Sequence, residues 1–402
     1  MFEDITPGRD RADRLIYRFE RQASFAAGYS PLYAHLFQAC AGWMAAPGRD
    51  TDPLARWLLS AAGERSSFDV PILLLAGLHR LVLAGSPGTA ALAAYYPTVG
   101  GLRPPAGDGL DRALRQAILT NQEALAAFIQ TANVQTNETG RGLAWLLPLT
   151  YLPWDEVCLV DLGASAGLNL VAEQRAFRLV DEQGTVLRDL GLARPGSQFT
   201  TTCTGELAAL AAYRPLPRIA GRIGGDILPF SLATPADERT LMAYVWADQP
   251  LRLARLREGI DAWRQVQRRD VPVQLRPLNL PDELPAFLAQ LPPAGPLLLY
   301  NTYMTTYLPD RGAALGEIIH AWAQTQSRPV LWLQWEPPHG YGQVPPHFGW
   351  CAWLADYWLP AGAGRQHWLL GWVHPHGGTA QFAAGLADWA AYWAGPSAGR
   401  SG

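Results

Sequence analysis

The sequence predicts an α/β protein in which a helical N-terminal region precedes a parallel β-sheet. Two patterns predict this class. Residues from about 11 to 150 carry apolar side chains at helical spacing, interrupted by glycine and proline turns. From about residue 157, short apolar runs alternate with helical segments, which is typical of a parallel sheet with crossover helices. The first of these runs ends in an acid and a glycine turn, which indicates where a ligand would bind.

Composition excludes several classes of function. The chain has 402 residues and 49% hydrophobic residues, enough for two subdomains or one enlarged domain. Its formal net charge of −3 argues against a nucleic-acid partner, which requires clustered cationic charge. The sequence contains no lysine, so all 32 Lys+Arg residues are arginine. A pyridoxal Schiff base, a phosphate-loop lysine and a kinase-type lysine are therefore excluded.

Hydropathy and cysteine usage predict a cytoplasmic location. No apolar run reaches the roughly 18 residues that a membrane span requires, and the N-terminus lacks the apolar core of a signal peptide. The four cysteines are widely separated and form no CxxC pair, so we expect reduced thiols and no metal site. No membrane partner is expected, and the sequence leaves the oligomeric state open.

The N-terminal region, residues 1–150, is expected to form a helical subdomain that serves as a lid or substrate wall. Its predicted helices are Arg14–Ala27, Pro31–Met44, Pro71–Ala84 and Leu110–Gln130. Residues 151–394 are expected to form the α/β domain, and the tail 395–402 is expected to be disordered.

Within the α/β domain the apolar runs predict five strands in order. They are Val157–Leu162, Arg222–Asp226, Val271–Arg276, Leu297–Asn301 and Val330–Trp335. Helices are predicted at Asp237–Arg264 and Asp310–Gln326. A hairpin at Phe177–Arg188 belongs to an insertion over residues 177–217. The late strands Trp350–Leu354 and His367–Val373 are expected to form an antiparallel pair, after a mobile loop at Pro337–Pro346.

The glycine turn after the first strand is the strongest ligand signal. In this motif the strand ends at Asp161, small residues fill the turn, and a helix is expected to follow. The third glycine of a G-x-G-x-x-G motif is missing, which weakens a nicotinamide or flavin interpretation. S-adenosylmethionine on a Rossmann-like sheet of the class I methyltransferase type is favoured instead. The predicted cofactor-binding residues here are Asp161, Gly163, Ala164, Ser165, Ala166, Gly167 and Asn169.

A second interpretation uses the same turn. Residues Gly163–Gly167 also match G-x-S-x-G, the nucleophile elbow of α/β-hydrolases, with Ser165 as the nucleophile. A later acid and His339, His374 or His376 would complete a triad. Against this, an acid precedes the turn and no HGGG-type oxyanion loop precedes the strand.

A cofactor ribose needs a carboxylate at the end of the second strand. Spacing alone points to Asp181 or Glu182, but these residues fall at the tip of the predicted hairpin. Asp226 follows a better strand beside two glycines and is preferred. An ordinary turn or capping role for Asp226 remains open.

Other polar residues are predicted at the substrate side of the sheet. Asn301, Tyr303 and Tyr307 follow the fourth strand and are expected to contact substrate. A polar island at Gln135–Arg141 suggests Asn137 and Arg141 as further contacts, although capping of the next helix explains it as well. Glu336 at the end of the fifth strand, or Glu138 in the island, is the expected general base. The pair His374 and His376 is interpreted as loop histidines.

Several of these segments resemble a bacterial family called domain of unknown function 2332, over roughly residues 15–378. The matching pieces are SPLYAHL at 30–36, YYPTVGG at 95–101, QTNETGR at 135–141, DLGASAGLNL at 161–170, RIGGD at 222–226 and YVWADQ at 244–249. The resemblance implies a methyltransferase-like α/β domain behind a helical region, without an established reaction. Where the family usually has GCD or GAD, this chain has Gly225 before Asp226.

Together these observations predict a methyltransferase that uses S-adenosylmethionine and acts on a small molecule. Methyl transfer needs mainly alignment of donor and acceptor, so no catalytic triad is required. A serine hydrolase and a non-catalytic nucleotide-binding or scaffold protein of the same fold are the alternatives.

Overall fold

The computed structural model describes residues 10–135, 137–192, 198–338 and 344–395. It divides into two compact units. Unit 1 comprises Met1–Thr136 and Ser231–Ala254, and unit 2 comprises Asn137–Phe230 and Arg255–Gly402. The predicted disordered tail, apart from Gly395, lies outside the described residues. So do His339 and the centre of the predicted loop at 337–346.

The described residues contain thirteen α-helices. They are α1 (Arg11–Ala26), α2 (Pro31–Ala45), α3 (Pro53–Ala61), α4 (Val70–Leu83), α5 (Ala90–Ala93), α6 (Asp108–Thr120), α7 (Gln122–Thr131), α8 (Leu143–Leu149), α9 (Pro235–Ala243), α10 (Pro250–Val266), α11 (Leu284–Ala289), α12 (Ala313–Gln324) and α13 (Ala384–Ala394). No helix in the described part of the chain is long and apolar enough to cross a bilayer.

Unit 1 is helical, and side-chain caps start several of its helices. Ser30 accepts from the N–H of Tyr33 at the start of α2, and Thr234 forms a capping box with Asp237 at α9. The single helix predicted over 237–264 is wrong, because the chain leaves the helix between α9 and α10. Pro250 disfavours a helical residue before it, and the freed Trp246 ring stacks on Tyr33 with centroids 4.7 Å apart.

Unit 2 contains eleven strands in one sheet. They are β1 (Glu156–Leu162), β2 (Ala176–Val180), β3 (Val186–Gly191), β4 (Gln198–Gly205), β5 (Arg218–Asp226), β6 (Val273–Pro277), β7 (Leu297–Thr302), β8 (Val330–Glu336), β9 (Cys351–Trp358), β10 (Arg365–Val373) and β11 (Thr379–Phe382). Their order is β3-β2-β4-β11-β10-β9-β8-β7-β1-β5-β6. The prediction of an α/β protein with a mostly parallel sheet is confirmed.

Five neighbouring strands, β6-β5-β1-β7-β8, run parallel. Among these five strands β1 comes first and lies in the middle. The next two in the chain, β5 and β6, lie on one side of β1, and β7 and β8 lie on its other side. The strand order therefore reverses between β1 and β7, and such switch points form crevices at the carboxyl ends of the strands. β9 and β10 form the predicted antiparallel pair, and β10 again runs parallel to β1. The carboxyl ends of β1, β5, β7, β8 and β10 thus share one edge, called here the carboxyl edge.

The predicted hairpin is also confirmed, since β2 and β3 pair antiparallel. β2 runs parallel to β4 and β11, and β11 runs antiparallel to β10. The hairpin tip with Asp181 and Glu182 therefore lies at the edge of the sheet opposite the carboxyl edge.

Both faces of the central strands are buried, so residues 157–160 of β1 form a continuous apolar run. Val157 and Leu159 pack into a core that includes residues of α8 and α13. Cys158, Val160 and Leu162 pack on the opposite face with residues of α11 and α12. This two-sided burial explains why the central strands are continuous apolar runs rather than alternating ones.

Candidate functional site

The backbone N–H groups of the glycine turn after β1 donate hydrogen bonds to acceptors within the protein. Gly163 and Gly167 take positive φ angles of 89° and 72°, which glycine adopts without strain. The N–H groups of Gly163 and Ala164 both donate to the Gly225 carbonyl, at 2.8 and 3.1 Å. The N–H of Gly167 donates to the Ala164 carbonyl at 2.7 Å. The expected helix after the turn is wrong, because Leu168–Gln174 is a 3₁₀ segment with non-helical angles at Val171.

Asp226 closes the turn from the end of β5. Its Oδ2 accepts from the Ser165 N–H at 2.8 Å, and its Oδ1 accepts from the Leu228 N–H at 2.9 Å. Asp226 is half-buried, and each carboxylate oxygen has a further lone pair. β5 packs closely against the turn, as Gly224 shows: a methyl group added there would lie 2.7 Å from the Ala164 Cβ.

The polar island reaches the same turn through Asn137. Its Nδ2 donates to Ser165 Oγ at 3.0 Å, and its Oδ1 accepts from the Ala166 N–H at 3.4 Å. The five N–H groups from Gly163 to Gly167 therefore all donate to protein oxygens. Asn169 lies half-buried beyond the turn, where its carbonyl accepts from Trp145 Nε1.

Asp161 lies beneath the turn in an unusual electrostatic position. It is 3% exposed, and its Oδ2 accepts from the Tyr300 hydroxyl on β7 at 2.9 Å. Burial, and to a lesser extent the nearby Asp226, raise the pKa of Asp161 to about 7. The Tyr300 hydrogen bond and the Arg141 charge oppose that rise. Asp161 consequently changes charge near neutral pH.

Glu336, at the end of β8, holds the loop after β7. Its Oε1 accepts from Asn301 Nδ2 at 2.8 Å and from the Met304 N–H at 3.0 Å. Its Oε2 accepts from the N–H and the hydroxyl of Thr305, at 3.1 and 2.8 Å. Burial raises the pKa of Glu336, and these four donors oppose the rise. Asn301 is itself held in place, because its Oδ1 accepts from Trp332 Nε1 at 2.7 Å. The hydrogen-bonded group of Glu336, Asn301, Met304, Thr305 and Trp332 is called here the clamp.

The loop after β7 carries the two tyrosines predicted to contact substrate. Tyr303 has a positive φ of 55°, a strained conformation for a residue with a side chain, and its N–H donates to the Trp335 carbonyl at 2.9 Å. Its ring lies 4.9 Å from the Arg141 guanidinium carbon. Tyr307 is 58% exposed. The structure therefore brings Asn301, Tyr303 and Arg141 together at the carboxyl edge and leaves Tyr307 at its surface.

Arg141 joins the polar island to two strand ends. It is 5% exposed, and its Nε donates to the Pro375 carbonyl at 2.9 Å. Its Nη1 donates to the Thr302 carbonyl at 3.4 Å. The loop after β10 is thereby held against the loop after β7.

His376, which the sequence analysis interpreted as a loop histidine or as a candidate for a hydrolase triad, lies beside Glu138. Its Nδ1 lies 3.2 Å from Glu138 Oε2, and the Glu138 side chain is 5% exposed while that of His376 is 31% exposed. The buried carboxylate and the partly exposed imidazole are close enough for an ion pair when the imidazole is protonated. The usable signal was that His374-Pro375-His376 directly follows a strand, but the direction of that strand in the sheet was not readable locally.

Other predicted positions fall elsewhere. Asp181 lies at the opposite edge of the sheet, where its Oδ1 accepts from the N–H groups of Gln183 and Thr185. Among the described residues, no group of three or more His, Cys, Asp and Glu side chains is arranged to hold a metal ion. The four cysteines are buried free thiols.

Comparison with known proteins identifies one family. The family model described as an uncharacterized protein conserved in bacteria (DUF2332) matches residues 17–381. No curated protein and no solved structure matches the chain.

Proposed function

The chain belongs to this bacterial family, DUF2332, and from its site we propose that it is a methyltransferase of the class I, Rossmann-like type. It would bind S-adenosylmethionine at the glycine turn and act on a small-molecule acceptor at the carboxyl edge. The observation that carries this proposal is the glycine turn at the switch point between β1 and β7, with Asp226 beside it.

The electrostatics of the turn favour a ligand without phosphate groups. A phosphate-binding turn presents unpaired N–H groups to the anion. Here the N–H groups of residues 163–167 donate to protein oxygens, and the carboxyl groups of Asp161 and Asp226 lie beside the turn. A dinucleotide pyrophosphate would lose its usual donors and meet two carboxyl groups. An adenosine ligand with a cationic sulfur avoids both costs.

The residues around Asp226 fit the adenosine part of that ligand. The remaining lone pairs of the carboxylate can accept from two ribose hydroxyls. The next residues, Ile227 and Leu228, are 73% and 52% exposed, so apolar surface for a purine lies directly after the carboxylate. When bound, S-adenosylmethionine supplies an electrophilic methyl group. The residues of the chain have to position the acceptor and remove its proton.

Two predicted bases have different geometry. Glu138 is placed to orient His376, whose partly exposed imidazole can take a proton from an acceptor at the carboxyl edge. Glu336 already accepts four hydrogen bonds, so proton removal by Glu336 would disrupt the loop that it holds. We therefore assign the base to the pair of Glu138 and His376, and a positioning role to Glu336.

The test is calorimetric titration of the full chain with S-adenosylmethionine and S-adenosylhomocysteine. We expect micromolar binding of both, reduced at least tenfold in Asp226→Asn. Asp181→Asn, at the opposite edge, is the matched control and should bind as the native chain does. Equal affinity in Asp226→Asn and the native chain would remove Asp226 from the site. No binding at millimolar ligand would refute the cofactor assignment.

One observation favours the hydrolase alternative. Ser165 has a positive φ of 49° directly after a strand, as a nucleophile elbow requires. The amide of Asn137 donates to its hydroxyl, whereas an activated serine donates its proton to a base. Labelling with a fluorophosphonate probe distinguishes a hydrolase from a methyltransferase. Labelling that disappears in Ser165→Ala supports a hydrolase, and an inert Ser165 supports the methyltransferase. Cofactor binding without transfer to any acceptor would indicate a scaffold protein.

A further inference from the structure

A second recess in unit 2 lies away from the glycine turn. It has a volume of about 420 Å³, within the range of small-ligand sites. Its floor consists of β8, β9 and β10, and its wall is the first half of α12. Gly316 lies on that wall, where an added methyl group would be in ordinary van der Waals contact with the Trp332 ring at 3.8 Å. This recess is called here the α12 cleft.

A buried carboxylate lies at the centre of the floor. Asp356 on β9 is 1% exposed and is the direct cross-strand neighbour of Trp332 and His367. Its Oδ1 accepts from Arg365 Nε at 2.9 Å and lies 2.8 Å from His367 Nδ1, while Oδ2 accepts from Gln334 at 3.4 Å. One carboxylate therefore fixes two nitrogen-bearing side chains in the same cleft.

These two side chains keep free surface toward the cleft. The side chain of Arg365 is 41% exposed and that of His367 is 46% exposed. With Nδ1 turned to Asp356, the Nε2 of His367 points away from the carboxylate, and the guanidinium has further N–H donors. Burial of a carboxylate is weak evidence for stability, because desolvation offsets the attraction to its partners. A binding role explains the arrangement better.

Acidic residues also line the cleft. Both Asp310 oxygens accept from backbone N–H groups, of Gly312 at 3.0 Å and of Ala314 at 2.6 Å, at the start of α12. Glu317 is exposed on the wall and adds one negative charge. Arg311 and His320 also line the cleft, so four arginine and histidine side chains stand beside the carboxyl groups of Asp310, Glu317 and Asp356.

We propose that the α12 cleft binds a small molecule through a carboxylate or phosphate group, held by Arg365 and His367 on the buried Asp356. The inference does not depend on the proposed methyl transfer. Along β10, six residues separate His367 from Val373 at the carboxyl edge, a distance of about 20 Å at roughly 3.3 Å per residue. The anion would therefore bind far from the carboxyl edge, where the adenosine ligand and its acceptor are proposed to bind.

The test is a titration of the full chain with inorganic phosphate and, separately, with acetate at constant ionic strength and pH. Histidine ring signals are followed by NMR, and His367→Gln assigns the signal of interest. We expect saturable movement of the His367 signal with at least one probe. Tighter binding of phosphate or of acetate then identifies the acidic group. The His35 signal, from a histidine of unit 1 paired with Asp111, is the control for general salt effects.

Variants decide whether the cluster itself binds. Arg365→Gln alone would remove the guanidinium partner of the buried Asp356 carboxylate and would destabilise the sheet. The double variant Asp356→Asn/Arg365→Gln removes both charges, and its affinity should fall at least tenfold. Glu317→Gln removes a like charge and should strengthen binding two- to threefold. Unchanged affinity in the folded double variant, or movement of the His367 signal no more saturable than that of His35, would overturn the proposal.

Discussion

Replacing Asp161 by asparagine should change how stability depends on pH. Burial holds the pKa of this carboxyl at about 7, against an ordinary value of 3.8. The folded protein therefore favours the neutral acid, while the unfolded chain ionises freely. The stability linked to this group is intact below about pH 4 and is lost as pH rises toward 7. The amide side chain of the variant cannot ionise, so the substitution removes this dependence.

The magnitude follows from the difference between the two pKa values. At about 1.4 kcal/mol per tenfold change, ionisation of the folded protein costs roughly 4 kcal/mol in total. The unfolded chain is already ionised at pH 5, where roughly 1.5 to 2 kcal/mol has been lost. Between pH 5 and pH 8 the native chain should therefore lose roughly 2 to 3 kcal/mol relative to Asp161→Asn. Any difference in packing between the amide and the carboxyl group does not vary with pH.

The assay is urea unfolding of both proteins at pH 5, 6, 7 and 8. Tyr300→Phe removes a hydrogen bond that favours the ionised acid, so it should cost more stability at pH 8 than at pH 5. Asp310→Asn is the control. Backbone N–H groups lower the pKa of Asp310, so its effect should be constant over this range. A constant difference between Asp161→Asn and the native chain from pH 5 to pH 8 would refute the reasoning.

Two further predictions test the turn and the clamp. Gly167→Ala and Gly184→Ala both place alanine at positive φ, but only at Gly167 does the new methyl meet a neighbour, Val273 Cγ1 at 2.9 Å. Thermal unfolding should show a larger loss for Gly167→Ala by roughly 1 to 3 kcal/mol, and equal losses would contradict the packing argument. Asn301→Ala leaves the Trp332 N–H without its acceptor and Glu336 with one donor fewer, so denaturant unfolding should show a cost of roughly 2 to 4 kcal/mol. Thr305→Ser keeps the hydroxyl donor and should cost much less, and a small loss in Asn301→Ala would mean that the clamp is not needed.

Local patterns were sufficient to predict most of the sheet. β1, β7 and β8 are buried on both faces, so each is a short continuous apolar run that the sequence displays directly. The β2–β3 hairpin was predicted from alternation about a turn that contains Gly184. Helix ends were less readable. The chain breaks between α9 and α10, where Trp246 packs on Tyr33, a contact more than two hundred residues distant in sequence.

The choice between ribose carboxylates illustrates a different limit. Asp181 has the expected spacing from the glycine turn, yet β2 runs opposite to β1 and carries it to the other edge of the sheet. Asp226 follows a strand that is paired in parallel with β1 and therefore ends beside the turn. Spacing along the chain does not encode strand direction, whereas pairing does.

By itself, the sequence determined the fold class, the central strands, the glycine turn and the polar residues at strand ends, because these depend on side-chain periodicity and backbone preference over a few residues. Only the tertiary structure decided which polar groups meet. Glu138 and His376 are more than two hundred residues apart, as are Ser30 and Asp248, and Asp356 is joined to His367 through strand register. Such contacts arise from the order and direction of strands and from long-range packing. The stability of these contacts depends on the packing of the whole fold and not on the residues of any one local segment.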